Sequence, residues 1–141
     1  MLSIARLLVL LCFSIVALCT QAQPWPAKTI RVVVNFPAGG TTDMMTRTWT
    51  QKLSEALGQP VIIENRGGAG GNVGMEVVAR AAPDGYTLLA SSGSPVVIGQ
   101  HLYKLSFDIG RDLAPITPMG RILTILVVRP SLPVKTTNSH N

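Results

Sequence analysis

One stretch near the start of the chain constrains the fold more than any other, because an apolar run leads through a glycine turn into a helix start. Residues 30–36 carry three adjacent valines, a pattern typical of a strand buried on both faces. Gly39 and Gly40 follow, and then Thr41, Thr42 and Asp43. The first amides of a helix have no partner inside it and lie at the positive end of its dipole. The stretch therefore predicts an anion site for a carboxylate or a phosphate.

The residues after this turn have a helical pattern. Thr41 or Thr42 is expected to cap a helix, Asp43 suits its positive end, and Gly58 is expected to stop it. Apolar side chains recur at helical spacing and predict the face that packs on the core. These residues are Met45, Trp49, Leu53, Ala56 and Leu57.

A second unit repeats this order. Residues 61–64 predict a short strand, residues 65–71 a glycine-rich loop, and residues 72–82 a helix. The helix is expected to turn Val77, Val78 and Ala81 inward.

A third strand completes the pattern. Residues 83–85 predict a turn, residues 86–90 a strand, and residues 91–95 a small polar loop. The order strand, helix, strand, helix, strand indicates an α/β fold with an open, mostly parallel sheet, flanking helices and right-handed crossovers.

Ligands of such sheets bind beyond the carboxyl ends of the strands. Three loops leave that edge and offer backbone amides, hydroxyls and the guanidinium of Arg66. For the glycine loop the alternative is a flexible connector, since it matches neither a dinucleotide nor a P-loop signature. The candidate ligand-binding residues are Pro37, Ala38, Gly39, Gly40, Thr41, Thr42, Asp43, Gly70, Gly71, Asn72, Ser91, Ser92, Gly93 and Ser94.

The first residues indicate export. Residues 1–6 form a basic n-region, residues 7–19 an apolar h-region, and cleavage is expected after Ala22. An uncleaved anchor is one alternative. A lipoprotein signal ending at Cys19 is another, although Leu18 is larger than the usual preceding residue. Both cysteines, Cys12 and Cys19, fall inside the signal, which excludes disulfides and cysteine-ligated metals from the mature chain.

Composition argues against several other classes. The net charge is +5, but the basic residues are scattered and aromatic residues make up 5%, so no nucleic-acid partner is expected. His101 and His140 stand alone, and Ser94 is not in a G-x-S-x-G elbow. We therefore expect no catalytic residues, no metal and no cofactor.

Several ordered motifs together carry a resemblance to a known family. The chain resembles the substrate-binding receptors of tripartite tricarboxylate transporters, the Bug family, from about residue 25 to residue 136. The motifs are WPAKTIR (25–31), FPAGGTTD (36–43), LGQPV (57–61), ENRGGAGGNVG (64–74), ARAAPDGYTLL (79–89), DLAPI (112–116) and VVRPSLP (127–133).

The resemblance implies a periplasmic receptor of two α/β domains, type II-like, with the solute in the cleft between them. Such a receptor has no catalytic activity, is expected to be a monomer when complete, and delivers a small carboxylated solute to membrane transporter subunits. It also implies that two facing loops, residues 37–43 and 91–94, hold the carboxylate, with residues 68–72 as a weaker third. Gly93 and Ser94 depart from the more usual Gly-Thr-rich character of the second loop.

The resemblance further implies that the chain is short for the family. We expect a signal peptide at 1–22, a partial N-terminal α/β domain at 23–130 and a divergent polar tail at 131–141. A frameshift, a premature stop or a fragmentary gene model is the expected cause; a naturally short single-domain form is the alternative. The alternative functions are a secreted interaction or signalling module and a small hydrolase or transferase that uses the anion loop.

Overall fold

The computed structural model describes residues 24–121 and the single positions 127, 129 and 131. The predicted signal peptide and the polar tail after residue 131 lie outside the described residues. Three strands form one sheet: β1 is Ile30–Val34, β2 is Val61–Asn65 and β3 is Thr87–Ala90. Their order is β2-β1-β3, and both pairings are parallel. The predicted open parallel sheet is confirmed.

The register brings the three strand ends to one level. Val34 pairs with Asn65 on one side and with Ala90 on the other, so all three following loops begin at the same edge. The predicted first strand extended to residue 36, but the ladder stops at Val34. The next side chain, Asn35, bonds to two loops instead.

The central strand is buried on both faces, as its valines predicted. Ile30, Val32, Val33 and Val34 are each fully buried. Because β2 and β3 lie on opposite sides of β1, right-handed crossovers put the two connecting helices on opposite faces of the sheet. The core therefore forms two layers around β1.

Helix α1, Thr41–Leu57, ends at Gly58 as predicted, with φ of 63° in the left-handed region. The predicted threonine cap is wrong, because Gly40 precedes the helix and no side chain caps it. The carboxylate of Asp43 instead reaches back from the first turn and accepts the Gly39 N–H at 2.8 Å. A side chain in the first turn of the helix thus provides an acceptor for a backbone N–H just before the helix begins.

The buried face of α1 differs from the apolar stripe that the sequence predicted. Thr46 and Thr50 are buried there, whereas Trp49 is half-buried and Ala56 is exposed. Burial of Thr46 is tolerated because its hydroxyl donates to the Thr42 carbonyl at 2.7 Å. The inward surface of α1 is therefore narrower and more polar than its hydropathy suggests.

Helix α2, Asn72–Ala79, is three residues shorter than predicted and follows a 3₁₀ turn at Ala69–Gly71. Its fully buried positions include Gly74 and Met75. The predicted inward residues Val77, Val78 and Ala81 are half-buried. Close approach explains the difference, since a Cβ at Gly74 would lie 2.7 Å from the Cβ of Asn35.

The chain after β3 becomes helical earlier than predicted. Ser94 already has helical φ and ψ, and a π-helical segment at Pro95–Gly99 leads into α3, Gln100–Leu102. A last short helix, α4, spans Ile109–Asp112. Among the described residues, every helix is too short or too polar to cross a bilayer.

We predict that the tight contact at Gly74 limits stability. A Cβ there would also lie 2.7 Å from the Arg66 carbonyl oxygen, a backbone atom that cannot move aside cheaply. Gly74→Ala should therefore lower the free energy of unfolding by about 1–3 kcal/mol, the usual cost of overpacking. Gly93→Ala is the matched control, because no described heavy atom lies within 4 Å of its added Cβ. Urea unfolding measures both, and equal losses would contradict the packing argument.

Candidate functional site

Asp43 organises the first loop. Its carboxylate is almost fully buried, with the residue 2% exposed. One oxygen, Oδ2, accepts the Gly39 N–H at 2.8 Å and the Arg47 Nε–H at 2.9 Å. The other, Oδ1, accepts from Asn65 Nδ2 at 3.0 Å. The loop, the helix and the end of β2 are therefore fixed to one carboxylate.

These donors also set the charge of Asp43. The guanidinium of Arg47 is the largest cause that holds the pKa of this carboxyl well below its ordinary value, followed by the Gly39 N–H and the Asn65 amide. Burial opposes the shift but does not outweigh the bonds. The carboxylate is therefore an ionised group inside the protein at neutral pH.

The first amides of α1 precede the hydrogen-bond ladder of the helix. The first bond of the helix runs from Met44 N to Gly40 O at 2.9 Å, so the N–H groups of Thr41, Thr42 and Asp43 precede it. Residues 38–41 are exposed, whereas Thr42 and Asp43 are buried. These N–H groups are the donors that the sequence predicted for an anion, and they lie at the positive end of a helix of 17 residues.

Asn35 connects the other two loops. It is fully buried, and its Nδ2 donates to the Gly71 carbonyl at 3.1 Å and to the Ser91 hydroxyl at 2.9 Å. Asn65 connects the end of β2 to the first loop, since its Nδ2 donates to the Phe36 carbonyl at 3.1 Å as well as to Asp43. Sequence analysis missed both asparagines as site residues. The available signal was their position, because each is a polar residue at the carboxyl end of an apolar strand.

The glycine-rich loop packs tightly against its neighbours. A Cβ at Gly71 would lie 2.7 Å from Asn35 Nδ2 and 2.9 Å from Pro95 Cγ. A Cβ at Gly67 would lie 3.3 Å from Pro37 Cδ. Gly67 and Gly71 therefore lie close to the segments that follow β1 and β3. Gly68, Gly70 and Gly71 have positive φ, as the connector interpretation expects of the glycines.

Several buried polar atoms lack partners near this edge. Asn72 is 7% exposed, and within the described part of the chain neither its Nδ2 nor its Oδ1 has a hydrogen-bond partner. The same holds for Asn35 Oδ1. Buried amides are normally bonded to protein or to ordered water. These atoms therefore mark a place where a polar guest or water would gain hydrogen bonds.

The structure thus brings the predicted site residues to one sheet edge, with two adjustments. Gly93 and Ser94 belong to the start of the helical segment after β3 and not to an open loop. Arg66, the cation among the loops, pairs with Glu64. Among residues 24–121 no cluster of His, Cys, Asp and Glu side chains has the arrangement of a metal site.

A groove of about 490 Å³ lies elsewhere, along α1 and the outer strand β2. It includes Arg47 and Glu55 but none of the candidate residues of the three loops. Its apolar floor consists of Val61 and Ile63. This groove therefore lies apart from the N–H groups that the sequence predicted as donors to an anion.

We predict that the Asp43 bonds make stability depend on pH. Because its folded-state pKa is lowered, the carboxylate contributes fully above its unfolded pKa of about 3.9, and the contribution is lost as the pH falls below that value. Asp43→Asn should have a lower Tm than the wild type at neutral pH. On acidification, the Tm of this variant should fall by less than the Tm of the wild type. The control is Glu55→Gln, which removes an exposed carboxylate from the same helix. Equal neutral-pH Tm values for the two variants would contradict this role.

The sequence profile of the tripartite tricarboxylate transporter family receptors matches residues 45–140. The protein BugT of Bordetella pertussis is 41% identical over 119 residues, which cover 83% of this chain and 36% of BugT. Among solved structures, MatC from Rhodopseudomonas palustris with bound malate has a TM-score of 0.54 and 40% identity, over 62% of this chain and 30% of MatC. The structure of a periplasmic transporter has a TM-score of 0.51 and 43% identity, and the match covers 60% of this chain and 29% of the transporter chain.

These matches extend along most of this chain but over about a third of the relatives, as the 36% of BugT and 30% of MatC show. The structural matches share the parallel sheet and flanking helices, and the profile match covers more than half of the sequence. The chain belongs to the tripartite tricarboxylate transporter receptor family.

Proposed function

We propose that this chain is part of a periplasmic receptor that binds a small carboxylate for a transporter of the tripartite tricarboxylate type. The observation that carries the proposal is the set of N–H groups at the start of α1, which Asp43 holds in place through Gly39, Arg47 and Asn65. A carboxylate is the simplest guest for such donors. The family and the malate bound to MatC support the same ligand class.

The proposed binding residues are those of the three loops. In the first loop, the N–H groups of Thr41 and Thr42 are the donors. The second loop contributes its polar backbone after Ser91, whose own hydroxyl hydrogen is donated to the Ser92 carbonyl. The glycine loop contributes the buried amide of Asn72. The complete set is Pro37, Ala38, Gly39, Gly40, Thr41, Thr42, Asp43, Gly70, Gly71, Asn72, Ser91, Ser92, Gly93 and Ser94.

A binding role without catalysis is part of the proposal. Ser91 is the first of the serines after β3, and its hydroxyl donates to the Ser92 carbonyl at 3.0 Å. A nucleophilic serine needs a base that accepts its proton. The bonds of Ser91 therefore support a receptor over the hydrolase alternative. Export to the periplasm and delivery to membrane subunits belong to the same proposal and follow from the family.

We predict that malate contacts the first loop of this chain. In an NMR titration, the backbone amide signals of Thr41 and Thr42 should shift with malate, because their N–H groups would donate to its carboxylate. The Gly40 N–H already donates to the Pro37 carbonyl at 3.4 Å, so its signal should shift only as that of a neighbour. The amide of Tyr86 is the internal reference, since it donates to Asp84 at the other end of the sheet. Shifts spread evenly over the chain, or confined to the groove along α1 and β2, would contradict the proposed site.

Gly40→Val tests the close approach that such binding requires. Gly40 has φ of −75°, and its added Cβ would lie 3.4 Å from the Pro37 carbonyl oxygen, so the backbone tolerates a side chain. The variant should weaken malate binding by roughly 1–3 kcal/mol, the cost of unmade hydrogen bonds, and change stability less. Gly110→Val, at a glycine outside the three loops, is the control. Unchanged affinity in folded Gly40→Val would remove this loop from the site.

A further inference from the structure

The outer strand β2 has an edge without a strand partner. Among residues 24–121 its one neighbour in the sheet is β1. The Arg66 N–H, just after β2, donates to the Val34 carbonyl of β1 at 2.8 Å. Because every second residue of a strand bonds to the same neighbour, Val61 and Ile63 direct their N–H and C=O groups away from the sheet. Such an edge is a template for another strand.

The side chains of β2 make this edge apolar on both faces. Ile62 is 51% exposed on the face away from α1. Val61 and Ile63 form the floor of the groove beside α1. Met119 packs on α1 outside this groove, where its sulfur accepts from Trp49 Nε1 at 3.1 Å. Within the described part of the chain, β2 thus lacks the lysine or the inward-pointing charge that usually protects an edge strand.

The α1 side of the groove carries opposite charges at its two ends. Arg47, Gln51 and Glu55 follow each other at a spacing of four residues, so they share one face of the helix, and all three line the groove. Arg47 uses its Nε–H for Asp43, but its side chain is 55% exposed and has further N–H donors. Glu55 is exposed and accepts from Gln51 at 3.3 Å. The surface therefore has a positive end, a neutral middle and a negative end.

This arrangement is complementary to itself. A two-fold axis brings the positive end of one copy to the negative end of another. With the axis beside Ile62, the two β2 strands run antiparallel, and Val61 of each copy exchanges both N–H···O bonds with Ile63 of the other. The two α1 helices then lie two to three strand spacings apart, about 10–14 Å. The long side chains of Arg47 and Glu55 can cross this gap.

We propose that β2 is the contact surface for a second copy of this chain, and that two copies join edge to edge into one sheet of six strands. Arg47 of each copy pairs with Glu55 of the other, and Ile62 packs against Ile62 of the second copy. Because both charges of both copies are paired, the surface fits a second copy better than an unrelated strand. The inference departs from the monomer that the family resemblance implied for a complete receptor.

The contact is separate from the proposed solute site. The three loops begin beyond the ends of the strands, whereas the contact lies along the side of β2. The inference therefore does not rest on the proposed function, and either can fail without the other.

Sedimentation equilibrium of the mature chain tests the assembly. The wild type should pass from monomer to dimer between micromolar and millimolar concentration and form nothing larger, because a two-fold contact closes on itself. Glu55→Arg should weaken dimerisation at least about tenfold, since it places two arginines opposite each other. Lys52→Glu is the control: Lys52 is exposed on the same helix, does not line the groove, and its charge changes by the same amount.

A mixture of two variants tests the orientation. Arg47→Glu alone should also dimerise weakly, because it places two glutamates opposite each other. An equal mixture of Arg47→Glu and Glu55→Arg should dimerise as strongly as the wild type, since every contact across the axis again joins an arginine to a glutamate. The circular dichroism spectrum and the Tm of each variant establish that it is folded.

Ile62→Cys locates the axis. The mature chain expected after cleavage at Ala22 has no cysteine. Opposed residues that share no hydrogen bond in an antiparallel pair have Cα atoms about 4.5 Å apart, within reach of a disulfide. Mild oxidation should therefore link Ile62→Cys into a covalent dimer. Val97→Cys, at a position 62% exposed and outside the groove, is the control and should link much more slowly.

Three results would overturn the inference. The first is a wild type that stays monomeric at every concentration, whether β2 remains unpaired or another part of the chain covers it. The second is a dimer that Glu55→Arg weakens no more than Lys52→Glu does. The third is a dimer in which Ile62→Cys links no faster than Val97→Cys. If Arg47→Glu does not fold, Glu55→Arg and Ile62→Cys decide the question.

Discussion

Parallel pairing of both outer strands with Ile30–Val34 is the constraint on which the rest of the structure depends. Because the register places Asn65 and Ala90 level with Val34, three consecutive connections begin at one edge of the sheet. Burial of the central strand on both faces requires a helix on each side, which the two crossovers supply. The candidate site is therefore a consequence of strand register before any loop residue is considered.

Polar side chains at the strand ends then give the loops their shape. Asn35 connects the second and third loops, and Asn65 connects the first loop to Asp43. Hydrogen bonds of a buried carboxylate are stronger than those between neutral groups, so the loop before α1 is held by the strongest of these contacts.

The sequence predicted the local elements well because their signals are local. The valine run, the glycine turn and Gly58 predicted β1, the first loop and the end of α1. It failed where distant parts of the chain decide the outcome. The partners of Asn35 lie 36 and 56 residues away, so no local pattern reveals them. Burial of Thr46 was missed because hydropathy does not register a hydroxyl that bonds within its own helix.

The most direct measurement of the central claim is a crystal structure of this chain with malate. The account predicts that one malate carboxylate lies within hydrogen-bond distance of the backbone nitrogens of Thr41 and Thr42, with the bonds of Asp43 to Gly39 and Asn65 intact. Malate bound instead in the groove beside Arg47 and Glu55, with the start of α1 contacting no part of it, would contradict the account.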